Sequence, residues 1–141
     1  MFSNCHDQPA GPPHCDDCPG NRPTTGSAVR PFCIHVTRLR GGRVVLAVTG
    51  AVDWATAGAL RTTALEEIAA GARKLVLDFS FLSFWDSSGM GAVASAYRSA
   101  TQVGASVALA GLSPTLAKAY RLTGMDTVVP LHRDVRTALT A

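Results

Sequence analysis

Long apolar runs, aromatic residues and charged residues are all scarce in this sequence of 141 residues, of which 6% are aromatic and 16% charged. No apolar run approaches the roughly 20 residues that cross a bilayer, so no membrane-spanning helix is predicted. The sequence starts without the basic and apolar stretches of a secretory signal, which indicates a cytoplasmic protein. Apolar residues still reach 47%, enough for the aliphatic core of one small α/β domain.

Enzyme signatures are missing as well. The sequence contains no Gly-x-Ser-x-Gly elbow, no Gly-x-Gly-x-x-Gly turn and no phosphate loop with a lysine. His35 and His132 lack a neighbouring carboxylate in a recognisable catalytic motif. The sequence therefore predicts a binding protein without a cofactor, not an enzyme, and assigns no metal-binding residues.

Charge is distributed unevenly along the chain, whose net charge is +3. Residues 1–28 hold one arginine and three aspartates, a net charge of −2, and residues 29–141 carry +5. The arginines of the second part are scattered, and no run of them is interleaved with aromatic residues as in a nucleic-acid-binding surface. We expect neither direct nucleic-acid binding nor membrane binding.

The first 28 residues differ in composition from the rest. They hold five of the eight prolines and almost no large aliphatic residues, so they cannot bury enough surface to offset the entropy of ordering. We predict a flexible tail over residues 1–28 and one folded domain over residues 29–141.

Cysteine and histidine are concentrated in this tail, at Cys5, His6, His14, Cys15 and Cys18. One Cys-x-x-Cys with nearby histidines is half of a zinc site, so a metal site and incidental cysteines both remain open. Cys33 lies in an apolar segment and is expected to be a small buried hydrophobe.

From Arg30 onward, apolar segments typical of strands alternate with segments of helical periodicity. Strands are predicted at residues 32–39, 44–48, 75–77, 106–110 and 127–129. Helices are predicted at residues 55–70, from Ser87 or Ser88 to about Val103, at residues 113–124 and around residues 135–139. The first two strands form a hairpin. This order predicts an α/β domain with a mostly parallel sheet.

Helix caps and core residues follow from the same pattern. Asp53 or Thr56 is expected to cap the first helix, and Ser113 the third, where Pro114 takes the first helical position. On that third helix we expect Leu116, Ala119 and Leu122 to face inward. The predicted core includes Leu46, Val76, Leu77, Leu109 and Leu116.

The most informative segment is Asp86-Ser87-Ser88-Gly89, which joins an apolar strand to a helix of small residues. A helix start has unpaired N–H groups and a partial positive charge, so it favours serine as a cap and also tolerates a phosphate. Chemistry alone leaves both roles open, and with two serines both can hold at once.

The residues around this segment resemble the signature of STAS domains, the fold of anti-sigma factor antagonists. That signature reads apolar-Asp-Ser-Ser/Thr-Gly-apolar-Gly after a buried strand, as in residues 82–91 here. Residues 48–53 are similar to the family's Gly-Glu-apolar-Asp segment, with Ala51 in place of the glutamate. The resemblance implies a single domain with a mixed, mostly parallel sheet that starts with a hairpin, and about four helices packed mainly on one side.

The resemblance also implies a function. Antagonists of this family bind an anti-sigma factor that is a serine kinase of the GHKL ATPase type, and so free a sigma factor. The kinase phosphorylates the antagonist, and a PP2C-type phosphatase reverses this. On this chain the phosphorylated residue would be Ser87, with Ser88 less favoured. The implied partner-binding residues are Asp53, Trp54, Thr56, Asp86, Ser87, Ser88, Gly89 and Met90.

Other functions remain as alternatives. STAS domains also act as scaffold subunits in stress-sensing assemblies and in lipid transporters, and the Cys/His tail suggests a metal sensor. Trp85 precedes a polar loop, so we expect it to be half exposed and to act as an interface anchor.

Overall fold

The computed structural model describes residues 4–5 and 31–141, with side chains over the second range. Its sheet has the strand order β1-β2-β3-β4-β5-β6. The strands are β1 (Asn4–Cys5), β2 (Cys33–Leu39), β3 (Arg43–Val52), β4 (Lys74–Trp85), β5 (Ser106–Ala110) and β6 (Leu131–His132). β2 and β3 form an antiparallel hairpin, and every other neighbouring pair is parallel. The predicted mixed, mostly parallel sheet is confirmed.

Four helices connect or follow these strands within the described residues. They are α1 (Ala57–Ala69), α2 (Ser87–Gln102), α3 (Pro114–Leu122) and α4 (Val135–Thr140). Buried residues of α1, α2 and α3 share one core with β2–β5, and Ala138 of α4 belongs to a smaller core on the other face. The helices thus pack mainly on one side, as the resemblance implied.

Alternation along the central strands divides the core residues between the two faces of the sheet. Leu46, Leu77 and Leu109 are buried under α1–α3, while Val76 is buried on the α4 side. These four core predictions are confirmed. Leu116 is only half-buried at the margin of the larger core.

β4 is much longer than the predicted strand at residues 75–77, because the segment up to Trp85 continues along β3. Two register shifts, between Ala47 and Thr49 and between Gly50 and Ala51, each place an extra β4 residue opposite β3. The apolar side chains Phe79, Leu82 and Trp85 therefore all face the core at a spacing of three residues, where simple alternation would turn one of them outward.

The region after β5 departs most from the sequence-based prediction. Residues 127–129 are not an edge strand: a 3₁₀ turn covers Met125–Thr127, and the edge strand is β6. The buried Tyr120 hydroxyl donates to the Val129 carbonyl oxygen at 2.7 Å, which draws this segment into the core. Burial raises the pKa of Tyr120, so its hydroxyl stays protonated as a donor.

The inward face of α3 is also not the predicted one. Ala119 and Leu122 are exposed, and Ala117 and Tyr120 are the buried residues of this helix. Tyr120 faces inward because its ring packs on Trp85 and its hydroxyl has a hydrogen-bond acceptor in the core. The predicted cap is confirmed, since the Ser113 side chain accepts a hydrogen bond from the Leu116 N–H.

Cys33 is buried as expected but is not a simple hydrophobe, because it is disulfide-bonded. The Cys/His cluster predicted in the tail lies outside the residues whose side chains are described. So does most of the predicted flexible tail, of which only the backbone of β1 is described, paired in parallel with β2.

Candidate functional site

Two loops meet at the carboxyl ends of β3 and β4. Val52 and Trp85 are paired in register at the ends of these strands, and the Asp86 N–H donates to the Val52 carbonyl at 3.3 Å. The loop of residues 53–56 and the first turn of α2 therefore start side by side. In open α/β sheets this end of parallel strands is where binding sites usually lie.

Asp86 caps α2. Its backbone is extended (φ −126°, ψ −164°), and its side-chain Oδ1 accepts a hydrogen bond from the Ser88 N–H at 2.8 Å. The prediction that Ser87 or Ser88 caps this helix is wrong, because a carboxylate one residue earlier already fills that role and suits the positive end of the helix dipole.

Both serine hydroxyls are consequently available. Ser87 is exposed and Ser88 half-buried, and neither hydroxyl has a hydrogen-bond partner within residues 31–141. Ser87 is the first residue of α2, at the positive end of the helix, with the Asp86 carboxylate next to it. The more accessible nucleophile of the pair is thus the Ser87 hydroxyl.

Gly89 and Met90 hold the first turn of α2 against the sheet. Gly89 is buried, and a Cβ there would lie 3.0 Å from Val52 Cγ1 and 3.1 Å from Trp85 Cε3. A side chain at this position would push the helix start, and the serines with it, away from the strand ends. Met90 is half-buried against the larger core. Gly89 and Met90 therefore hold Ser87 in position and expose little surface to a partner.

The loop after β3 is fixed by its own hydrogen bonds. The Thr56 hydroxyl donates to the Ala51 carbonyl at 2.8 Å and accepts from the Asp53 N–H at 2.9 Å. Asp53 Oδ1 accepts from the Ala55 N–H at 2.9 Å. Thr56 directly precedes α1, but its side chain does not cap that helix, because its buried hydroxyl already forms hydrogen bonds within the loop. Thr56 therefore shapes the loop and is not at the surface.

The two tryptophans differ sharply in burial. Trp85 is 4% exposed and packs on Phe79 and Tyr120, with ring centroids at 5.2 Å and 5.6 Å. The prediction that Trp85 is a half-exposed interface anchor is wrong. Trp54, at the tip of the β3 loop, is 84% exposed.

Phe84 is an exposed residue of this region that the sequence analysis missed. It lies opposite Ala51 and is 50% exposed, because the second register shift of β4 turns it away from the core. The only sequence signal was the spacing of Phe79, Leu82 and Trp85, which leaves Phe84 off the buried face.

No group of three or more potential metal ligands is found among the described residues. None of the helices described here has the length and apolarity that a bilayer crossing requires.

Comparison with known proteins adds to this geometry. The family model for the STAS domain matches residues 35–138, which include both loops. An anti-sigma factor antagonist from Mycobacterium paratuberculosis is similar in structure with a TM-score of 0.70 at 27% identity, over 78% of this chain and 92% of that one.

Two structures of a second antagonist are also similar. The anti-sigma factor antagonist SpoIIAA in its unphosphorylated form has a TM-score of 0.58 at 26% identity, over 72% of this chain and 88% of its own. The Bacillus cell fate determinant SpoIIAA in its phosphorylated form has a TM-score of 0.61 at 25% identity, over 76% of this chain and 96% of its own.

Proposed function

Because this chain belongs to the STAS domain family, a non-catalytic regulatory fold, we propose that it is an anti-sigma factor antagonist switched by phosphorylation of Ser87. In its unmodified form it binds an anti-sigma factor that is also a GHKL-type serine kinase, and this frees a sigma factor. The kinase inactivates it by transferring phosphate to Ser87, and a PP2C-type phosphatase removes the phosphate. Similarity to antagonists at 25–27% identity, one of them known in a phosphorylated form, supports this proposal.

The observation that carries the proposal is the free Ser87 hydroxyl. A phosphorylatable serine has to reach the catalytic groups of a kinase, and Ser87 is exposed at the start of α2. Since Asp86 caps the helix, phosphorylation of Ser87 removes no hydrogen bond of the fold. Ser88 is less favoured because it is half-buried and its own N–H is held by Asp86.

The phosphate changes the surface more than the fold. It adds about −1.5 to −2 charges and three acceptor oxygens beside the Asp86 carboxylate. The unpaired N–H groups at the start of α2 compensate part of that charge, so the domain stays folded. The partner that fits a small neutral hydroxyl then meets a bulky dianion, and binding is lost.

The test is phosphorylation of the full chain by GHKL-type kinases of the organism that encodes it, with Mg-ATP and mass spectrometry. We expect one phosphate on the wild type and on Ser88→Ala, and none on Ser87→Ala, which still binds the kinase. Ser87→Asp should fold and bind more weakly. Labelling of Ser87→Ala to the wild-type level, or unchanged binding of Ser87→Asp, contradicts the proposal.

A further inference from the structure

The outer side of β5 is only partly paired with another strand. Backbone N–H groups alternate in direction along a strand. The Ser106 N–H donates towards β4, to the Arg73 carbonyl at 3.0 Å, and the Leu109 N–H donates outward, to the Pro130 carbonyl at 2.9 Å. Val107 therefore also directs its N–H and its C=O outward. Within the part of the chain whose side chains are described, neither group has a hydrogen-bond partner.

β6 cannot extend to cover Val107. In the parallel register of β5 and β6, the residue that would donate to the Val107 carbonyl is Pro130, which has no N–H. The chain turns away just before this proline. The Val129 N–H donates to the Met125 carbonyl at 2.8 Å, and the Val129 carbonyl accepts from the Tyr120 hydroxyl at 2.7 Å. The unpaired edge at Val107 thus follows from a proline at one position of the sequence.

A cavity of about 540 Å³ lies along this unpaired edge, within the size range of protein binding pockets. Tyr97 and Thr101 of α2 line it on the side of the larger core. Lys74 lines it on the side of α4, because it lies two residues before Val76 on β4 and so faces the same way. Pro130 lines it next to β6. The cavity therefore has the position of one further strand in line with β6.

We infer that this edge binds an extended segment of a partner protein, which pairs with β5 as a strand in line with β6. The main-chain groups of that segment bind the N–H and C=O of Val107, as in other complexes formed by strand addition. The proposed function makes no use of this edge of the sheet. The inference therefore goes beyond that function and does not depend on it.

The two walls of the cavity select the side chains of the segment. Residues opposite each other in a sheet face the same side, so the residue opposite Val107 points towards Tyr97 and the larger core, where an apolar side chain fits. Its neighbours point to the other wall, which Lys74 and His132 line, and no aspartate or glutamate is among the described lining residues. The Lys74 ammonium donates to the Ala141 oxygen at 2.6 Å in an exposed contact, which an incoming carboxylate can replace. The expected pattern of the segment is acidic-apolar-acidic.

An acetylated and amidated peptide of the sequence Glu-Val-Glu-Val-Glu, added to the isotope-labelled full chain, tests this site by NMR. We expect saturable shifts of the amide signals of Val107 and its neighbours on β5, and slower hydrogen exchange of the Val107 amide. The same peptide methylated on every backbone nitrogen is the matched control. It keeps the side chains and the charge but has no N–H for the Val107 carbonyl, so it should bind at least about tenfold more weakly.

Lys74→Glu tests the charged wall. It reverses the charge that faces the acidic side chains, so the Kd of the peptide should rise by about tenfold or more. Arg61→Glu makes the same change of charge at an exposed position of α1 outside the cavity lining, and it should leave Kd within about twofold of wild type. Amide signals away from the cavity should match wild type in both variants, which shows that they are folded. Added salt should weaken binding to wild type more than binding to Lys74→Glu.

The remaining outcomes overturn the inference. They are an absence of shifts at Val107 with millimolar peptide, equal binding of the methylated peptide, and equal weakening by Lys74→Glu and Arg61→Glu. Protection of the Val107 amide in the free chain at every dilution assigns the edge to another segment of this chain. Protection that dilution removes assigns it to a second copy. Phosphorylation of Ser87 does not enter this experiment, so failure of the strand site leaves the proposed function standing.

Discussion

The Asp86 carboxylate accepts the hydrogen bond from the Ser88 N–H and so caps α2. Neither of the two neighbouring serine hydroxyls is needed for this role, and both stay free. If a serine were the cap, phosphorylation would modify the same hydroxyl that accepts the capping hydrogen bond. With aspartate as the cap, the fold and the proposed switch use different side chains. The buried Gly89 then keeps the first turn close to Val52 and Trp85.

Replacing Asp86 should therefore lower the free energy of unfolding, whereas replacing Ser88 should not. We expect Asp86→Ala to lower the free energy of unfolding by about 1 kcal/mol, the usual cost of losing an N-cap. Ser88→Ala should stay within about 0.5 kcal/mol of wild type, because its hydroxyl has no partner in the described structure. Urea unfolding of the two variants measures this difference. A larger loss for Ser88→Ala than for Asp86→Ala would contradict the assignment.

β4 is the element that connects the core to the site. Its first half packs by alternation between the two faces, while its second half keeps Phe79, Leu82 and Trp85 inward through two register shifts. The same shifts leave Phe84 exposed at the carboxyl end. One strand therefore ends in a buried tryptophan that supports α2 and an exposed phenylalanine beside it.

The stability lost when a leucine is truncated should increase with the burial of that leucine. Leu77→Ala, in the middle of β4, should lower the free energy of unfolding by roughly 2–5 kcal/mol, as for other buried leucines. Leu116→Ala on α3 should cost less, because Leu116 is half-buried. Leu122→Ala on the same helix is the control and should change stability by less than about 0.5 kcal/mol, since Leu122 is 79% exposed.

Denaturant titrations of the three variants provide the measurement. Equal losses for Leu116→Ala and Leu77→Ala would mean that α3 packs more deeply than the structure places it. A loss of several kcal/mol for Leu122→Ala would contradict the inward face assigned to Ala117 and Tyr120.

At the scale of the whole molecule, the core and the candidate site have separate locations. Within the described part of the chain, the buried members of the two core clusters lie between Ile34 and Ala138, and the clusters are joined by the central strands β3, β4 and β5. The candidate site lies at the carboxyl ends of β3 and β4, where loops attach to a rigid sheet. The proposed phosphorylation of Ser87 would therefore change the surface without disturbing the core.

Deletion of residues 1–28 should leave the domain folded and the melting temperature nearly unchanged. Among the residues whose side chains the structure describes, the buried members of both core clusters lie between Ile34 and Ala138, and β1 contributes only two residues at the sheet edge. Calorimetry with a thiol reductant in both samples, so that Cys33 is reduced in each, measures this. A large fall in melting temperature, or a fall of the full chain on adding a chelator, would show that the segment or a metal in it is structural.

The sequence by itself determined the order of most elements and the position of the candidate site. The short, valine-containing apolar runs of residues 44–48 and 75–77 favour buried strands, and Asp86-Ser87-Ser88-Gly89 marks a helix start from local chemistry alone. The hairpin of β2 and β3 and the cap at Ser113 are local features too, so they were predictable from neighbouring residues.

Only the tertiary structure decided which of several suitable side chains takes each role. Asp86 caps α2 instead of a serine, Trp85 is buried while Trp54 is exposed, and Tyr120 faces inward where Leu122 was expected. Each choice depends on contacts between segments distant in sequence, such as the register of β3 on β4 and the packing of Tyr120 on Trp85. Local propensity cannot rank these alternatives, because their free energies differ mainly through long-range packing.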